Sequence, residues 1–257
     1  MVKAKKHLGQ HFLTNEGVSA DIADALICNR TKRTLEVGPG MGMLTKYLIA
    51  RPELDLQVAE IDTESVEYLH RHYPALEVIE GDFLRMNLTE SYPAGVNIIG
   101  NFPYNISSQI FFAVLDHKEV VPEVVGMLQK EVAVRLAAAP TGKEYGILSV
   151  LLQAYYDIEY LFEVSAENFN PPPKVQSAVI RLTRNSVERL DCDEVLLKKI
   201  VKATFNQRRK TIRNSIRAVL PEIRGEHRLL AERPERLSVA DFVELTKFVE
   251  AQKNLEY

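Results

Sequence analysis

The 257-residue chain has no tryptophan and only two cysteines, Cys28 and Cys192. The thiols are far apart, and no CxxC or Cys/His spacing surrounds either one. That argues against a structural zinc site and an obligatory disulfide, so no metal is expected and reduced thiols of a cytosolic protein are the simpler reading. A long apolar run is also missing. The longest candidate, residues 147–154, falls far short of the roughly 20 residues that cross a bilayer, and it leads into the polar YYDIEY. The basic start, MVKAKKHLGQHFL, lacks the apolar stretch of a signal peptide, so a cytoplasmic protein with no membrane partner is expected. Neither sign of charge dominates: 32 Lys and Arg face 35 Asp and Glu, a formal net charge of −3. The total gives no hint of a polyanionic partner; the distribution does.

What is present is an ordinary globular composition, 46% hydrophobic and 26% charged, able to fill a core without staples. Residues 1 to about 30 read as a basic arm and then an amphipathic helix. Val18, Ile22, Ala25 and Leu26 recur there at helical spacing, and Asn15 is placed to cap it. From about 31 to 184, the runs TLEVG (34–38), LQVAEI (56–61), LEVI (76–79), VNIIGN (96–101) and EVVGML (123–128) predict strands. Helix-length segments such as 43–50, 63–72 and 107–115 separate them, which predicts a mostly parallel sheet with helices on both faces. A late strand pair is predicted at 160–164 and 178–182, with Pro171-Pro172-Pro173 outside regular pairing. Helices are predicted at 194–205, 211–220 and 240–251. The expected architecture is an α/β, Rossmann-like domain over 1–184 followed by a small all-α domain over 185–257.

Glu36-Val37-Gly38-Pro39-Gly40-Met41-Gly42 follows the first predicted strand, where an open α/β sheet binds ligands. Gly38 and Gly40 let the backbone turn sharply and approach a ligand closely. The dinucleotide pattern GxGxxG fails at Met43, whereas ExGxGxG suits S-adenosylmethionine, which has no pyrophosphate to cradle. Glu60 ends the second strand, from which a carboxylate can accept hydrogen bonds from both ribose hydroxyls. Asp62 is a second ribose candidate, though an N-cap is the favoured reading. Asp82, after the third strand, is placed to accept from an adenine amine, with Phe83 beside it. Asn101-Phe102-Pro103-Tyr104 stands at a further strand end. An adenine amine is a weak nucleophile because its lone pair is delocalised into the ring. Two acceptors, the Asn101 side-chain oxygen and the Pro103 carbonyl, would bind its hydrogens and aim the lone pair at a methyl donor. Tyr104 would stack on the base. Water suffices to take the proton, because the methylated amine is acidic.

These residues resemble the KsgA-type ribosomal RNA adenine dimethyltransferases almost end to end. The shared segments are HLGQHFL (7–13), EVGPGMG (36–42), EID (60–62), GDF (81–83), NFPY (101–104), LQKEVAVRL (128–136), NFNPPPKVQSAVIRL (168–182) and FNQRRKTIRN (205–214). The resemblance implies a Rossmann-like S-adenosylmethionine-dependent methyltransferase domain with a small helical C-terminal domain. It implies dimethylation of two adjacent adenosines in the hairpin near the 3′ end of small-subunit rRNA, within an immature small subunit, leaving S-adenosylhomocysteine as by-product. Cofactor positions carried over are His11, Leu13, Gly38, Glu60, Asp82 and Asn101, with Gln10 and Phe83 as neighbours. Phe169 is implied as the second aromatic face opposite Tyr104. His11 departs from the family's usual asparagine, which leaves a backbone contact there as the safer expectation. Phe102 replaces a leucine or isoleucine, which matters little if the side chain points into the core.

Lys198, Lys199, Lys202, Arg208, Arg209, Lys210, Arg213 and Arg217 occupy a stretch that contains no acid. Such a cluster in an otherwise acidic chain is the footprint of a nucleic-acid partner. Lys3, Lys5 and Lys6 are a second candidate patch. Gln129, Lys130 and Glu131 are readable either as support for an RNA groove or as a helix start. No exposed apolar edge stands out, so a monomer is expected. Two rivals remain: an assembly factor whose work is binding, and a large-subunit methylase of the antibiotic-resistance type, against which FNQRRKTIRN and the helical tail argue.

Overall fold

In the computed structural model, residues 2, 4, 5 and 8–253 are described; Lys3, Lys6 and His7 lie outside them. Strands form at β1 (Phe12–Leu13), β2 (Arg33–Val37), β3 (Asp55–Glu60), β4 (Glu77–Glu80), β5 (Asn97–Asn101), β6 (Glu123–Gln129), β7 (Tyr156–Val164), β8 (Phe169–Asn170) and β9 (Ser177–Arg184). Seven of them make one sheet in the order β4-β3-β2-β5-β6-β9-β7. The first five in that order run parallel, and β9 returns antiparallel to β6. The continuously apolar runs are the central strands, as a sheet covered on both faces requires.

The chain winds from β2 outward to β4, then jumps back across β2 to β5. The carboxyl ends of β2 and β5 therefore flank the point where the winding reverses, and a crevice opens there. Gly38 and Asn101 stand at those two ends.

Local chemistry sets the helix limits. Asn15 accepts from the Val18 amide at 3.2 Å and opens the helix Glu16–Asp24, whose Ile22 and Ala23 are buried. Phe102 is fully buried, as its inward reading required, and meets Phe111 edge-on with centroids 5.9 Å apart. Its ring fits because glycines face one another across β5 and β6: Gly100 pairs with Gly126, and a Cβ on Gly126 would lie 2.4 Å from the ring. A two-stranded antiparallel pair, β1 with β8, was not foreseen; it fastens the N-terminal arm to Phe169 and Asn170.

The chain divides into two compact units: residues 1–133 with 157–184, and residues 134–156 with 185–257. Two consecutive segments were expected, yet 134–156 groups with the tail. The physical reason lies in the helix Ile147–Gln153, whose Leu148, Val150, Leu151 and Leu152 are all buried. This apolar run, too short for a membrane, is a core helix of the second unit. Among the described residues, no helix is long and apolar enough to cross a membrane. Within the same unit Glu194–Phe205 forms as predicted, capped by Asp193, which accepts from the Val195 and Leu196 amides at 2.8 and 3.0 Å. The helix predicted over 211–220 breaks into Ile212–Ser215 and a 3-10 turn, Ile216–Ala218. Ser215 explains part of that: its hydroxyl bonds back to the Thr211 carbonyl at 3.0 Å.

Candidate active site

Gly38 and Gly40 both take left-handed backbone angles, φ +70° and +55°, and a Cβ on Gly40 would lie 2.8 Å from the Phe12 ring. The turn is held by Glu60. One of its oxygens accepts from the Gly40 amide at 3.0 Å and the other from the Asp62 amide at 2.9 Å. Burial pushes the Glu60 carboxyl upward, and these two amides pull part of that back. Each oxygen keeps a lone pair for a further donor. Asp62 occupies the N-cap backbone position of the helix Thr63–His72, but its carboxylate bonds the Ser65 hydroxyl at 2.9 Å and the Lys5 ammonium. Burial works to raise its pKa; the bonds from Lys5, Ser65 and Gln10 outweigh that and hold it below the ordinary value. Lys5, read as RNA-facing, is thus engaged with Asp62 and Glu64. Asp82 accepts from the Leu84 amide at 3.0 Å, which caps a 3-10 turn and sets Phe83 beneath it.

These strand ends surround a cavity of about 170 Å³. Of the residues singled out from sequence, Gln10, His11, Gly38, Gly40, Glu60, Asp82, Phe83, Asn101, Pro103 and Tyr104 all line it. Gly9, Phe12, Ile61 and Asn105 line it too, and were missed. Ile61 carried a signal in being an apolar residue after the end of a strand, and it is 52% exposed. Leu13 does not line this cavity. Its side chain is buried in the core and borders a second, neighbouring cavity of about 460 Å³ with Glu36, Met41 and Met43.

The Asn101 amide nitrogen donates to the His11 carbonyl at 3.0 Å. A carbonyl can only accept, so this bond fixes which way the amide points, leaving the oxygen as an oriented acceptor. It also shows His11 using its backbone here. The Pro103 carbonyl accepts from the Ile106 amide at 3.1 Å, which closes the turn and leaves one lone pair. The Tyr104 hydroxyl bonds Ser177, a partner that sequence reasoning missed, and burial raises the phenol above its usual range despite that bond.

The aromatic sandwich differs from expectation. Phe169 is 3% exposed and packs in the core with Leu13, Ile22 and Val179, because pairing of β8 with β1 turns it inward. The ring standing against Tyr104 is that of His11, with centroids 5.3 Å apart and planes 28° from parallel. His11 Nδ1 donates to the Pro171 carbonyl at 2.7 Å, which holds the imidazole in place.

In the second unit, Lys199, Lys202, Arg209, Lys210 and Arg217 are exposed, and Lys198 is half-buried. Arg208 and Arg213 are half-buried and partly committed to structure. Arg208 donates to the Gly142 carbonyl at 3.1 Å, and Arg213 pairs with Glu226 at 2.6 Å. Lys130, readable two ways from sequence, begins the helix Lys130–Ala137 and pairs with Glu163 at 2.7 Å. Among the described residues, no group of three or more His, Cys, Asp or Glu is placed to hold a metal ion.

Comparison with known proteins identifies the family. Residues 1–250 match the family described as ribosomal RNA adenine dimethylase. The chain is 54% identical over 255 residues to ribosomal RNA small subunit methyltransferase A of Bacteroides thetaiotaomicron, covering 97% of this chain and 95% of that one. The Porphyromonas gingivalis protein of the same name is 55% identical over 251 residues, covering 95% and 97%. Among solved structures, a dimethyladenosine transferase from Plasmodium falciparum shares the fold at TM-score 0.76 and 22% identity, over 95% of this chain and 98% of that one. The 23S rRNA methyltransferase ErmE aligns at TM-score 0.64 and 26% identity, over 92% and 99%. The chain therefore belongs to the ribosomal RNA adenine dimethylase family, S-adenosylmethionine-dependent enzymes that dimethylate adenosine in ribosomal RNA.

Proposed function

We propose that the chain binds S-adenosylmethionine at the reversal point of the sheet and dimethylates two adjacent adenosines of small-subunit rRNA within an immature small subunit in the cytoplasm. The residues present fit that cofactor. Glu60 has an unused lone pair on each oxygen for a ribose diol, and Gly38 and Gly40, both at left-handed backbone angles, present bare backbone to the cavity. Asp82, Phe83 and Ile61 border the same cavity, on the side suited to a base. When bound, S-adenosylmethionine supplies a methyl group on a positively charged sulfur.

The protein's own part is positioning. The Asn101 oxygen and the remaining lone pair of the Pro103 carbonyl accept the two hydrogens of the target amine. The nitrogen lone pair is thereby turned out of conjugation and toward the methyl. Tyr104 holds the base by its face, its own plane fixed through Ser177. The observation that carries this reading is the fixed Asn101 amide, whose oxygen has one orientation before any substrate arrives. Exposed Lys199, Lys202, Arg209, Lys210 and Arg217 suit the phosphates of an RNA, and such contacts weaken steeply with salt. The protein acts as a monomer. The relatives named small subunit methyltransferase A support the choice of subunit.

The test is transfer of labelled methyl to unmethylated small subunits, with large subunits and duplex DNA as controls and nucleoside mass spectrometry as readout. Dimethyladenosine confined to small subunits is expected. Asn101→Ala should lower kcat by about 100-fold or more, the scale of losing an oriented polar group at a reacting centre, with an unchanged thermal midpoint. Label on large subunits alone would move the assignment to the resistance-type methylases. Small-subunit binding with no label would make the chain an assembly factor.

A further inference from the structure

Glu36 is the one acid of the glycine-rich segment that the mechanism leaves unused. It lies at 1% exposure on β2, two residues before Gly38, and borders the 460 Å³ cavity together with Gly38 and Asn101. Phe12, Gly38 and Asn101 border both cavities, so the second is continuous in its lining with the proposed reaction centre. The hydrogen-bond donor to Glu36 is a neutral group, the Thr45 hydroxyl, at 2.6 Å. Among the described residues, the charge that acts on it is that of another acid, Glu60. Tyr73, at the C-terminal end of the helix Thr63–His72, feels Glu36, and Tyr68 of that helix borders the same cavity. Asn101 and the arm residues Phe12 and Leu13 complete the wall without charge.

A carboxylate taken out of water with no cation beside it favours its neutral form. A ligand bringing positive charge reverses that preference. We infer that Glu36 is a proton-exchanging counter-ion for the cofactor: it is neutral in the free protein, ionises as the positively charged S-adenosylmethionine enters, and so favours the cofactor over the demethylated product. The inference rests on the proposed cofactor site. S-adenosylmethionine carries one positive charge more than S-adenosylhomocysteine, whose ammonium and carboxylate cancel. Loss of the methyl removes that charge, Glu36 takes its proton back from solvent, and the product is left beside a neutral acid.

Burial holds the Glu36 carboxyl at about 8, with the Thr45 bond opposing and Glu60 adding to the rise. The free protein therefore mostly carries this proton at pH 7 and has mostly lost it by pH 9. Glu60 is also raised, so its contribution must be separated by substitution.

The experiment is calorimetric titration of the full chain with S-adenosylmethionine in phosphate and in Tris, whose different ionisation heats report the protons released. Release of close to one proton at pH 7, fading by pH 9, is expected with S-adenosylmethionine, and less than half as much with S-adenosylhomocysteine. Glu36→Gln should abolish the difference between the two ligands and bring their affinities at least several-fold closer. Binding without proton release, equal release with both ligands, or release unchanged in Glu36→Gln overturns the inference while leaving the cofactor site standing. No binding of either ligand overturns the cofactor site and the inference together. If Glu36→Gln folds poorly, Thr45→Ala is the second variant: removing the hydroxyl that opposes the rise should carry proton release to higher pH, and an unchanged release profile overturns the inference.

Discussion

At the scale of the residue, two acids of the site, Glu36 and Glu60, are buried and held by neutral donors, and that has a cost the free protein shows with pH. Glu36 ionises near the ordinary value of 4.5 when unfolded and at about 8 when folded. Below pH 4.5 it is protonated in both states and costs nothing. Above that the unfolded chain loses the proton first, so stability falls with rising pH and levels off once the folded carboxyl has also ionised. The full span corresponds to about 5 kcal/mol, at ~1.4 kcal/mol for each tenfold change in proton affinity. Denaturant midpoints should drop between pH 5 and pH 8.5 in the wild type and drop much less in Glu36→Gln; parallel curves would mean the carboxyl is not buried in solution. Glu60 shifts in the same direction and leaves a residual slope. The acids of the strand ends were legible because each one closes an apolar run. The partner of Glu36, Thr45, was not, and neither was Ser177 beside Tyr104: each lies beyond turns whose path the sequence does not encode locally.

At the scale of the element, helix and strand periods placed nearly every piece of the sheet, since buried parallel strands are written as unbroken apolar runs. The helix end capped by Asn15 was equally readable, whereas the Asp193 cap of Glu194–Phe205 went unread. The short pair of β1 with β8 was not, because two residues carry no period and their pairing is decided by distant packing. That is why Phe169, assigned to the substrate face, is found in the core. The facing glycines of β5 and β6 make a sharper point. Gly126→Ala puts a methyl 2.4 Å from the Phe102 ring, which Phe111 and full burial keep from moving aside. The expected loss is about 1–3 kcal/mol, the range for overpacking a core. Phe102→Leu in the same chain should recover most of it. If Gly126→Ala alone melts like the wild type, the ring has another place to go.

At the scale of the whole molecule, the two units are not consecutive stretches of chain, since residues 134–156 belong with the tail. A protein ending at residue 184 would strand Leu148, Val150, Leu151 and Leu152 without the helix Glu194–Phe205, whose Ile200 and Val201 are buried in the same unit. Such a fragment should be recovered mostly as aggregate, whereas one that also replaces 134–156 with a short polar linker should stay soluble. Equal solubility of the two would place the apolar helix elsewhere. The joining of Phe12–Leu13 to Phe169–Asn170 has a consequence for how the protein is born. The arm that walls the cleft is made before its anchoring strand, which follows more than 150 residues later. A nascent chain can assemble the glycine turn and the acids of β2, β3 and β4 early, but its cleft stays open on the arm side until synthesis has passed Asn170. The arm side of the reaction chamber is thus walled only after every strand of the large sheet except β9 has been made.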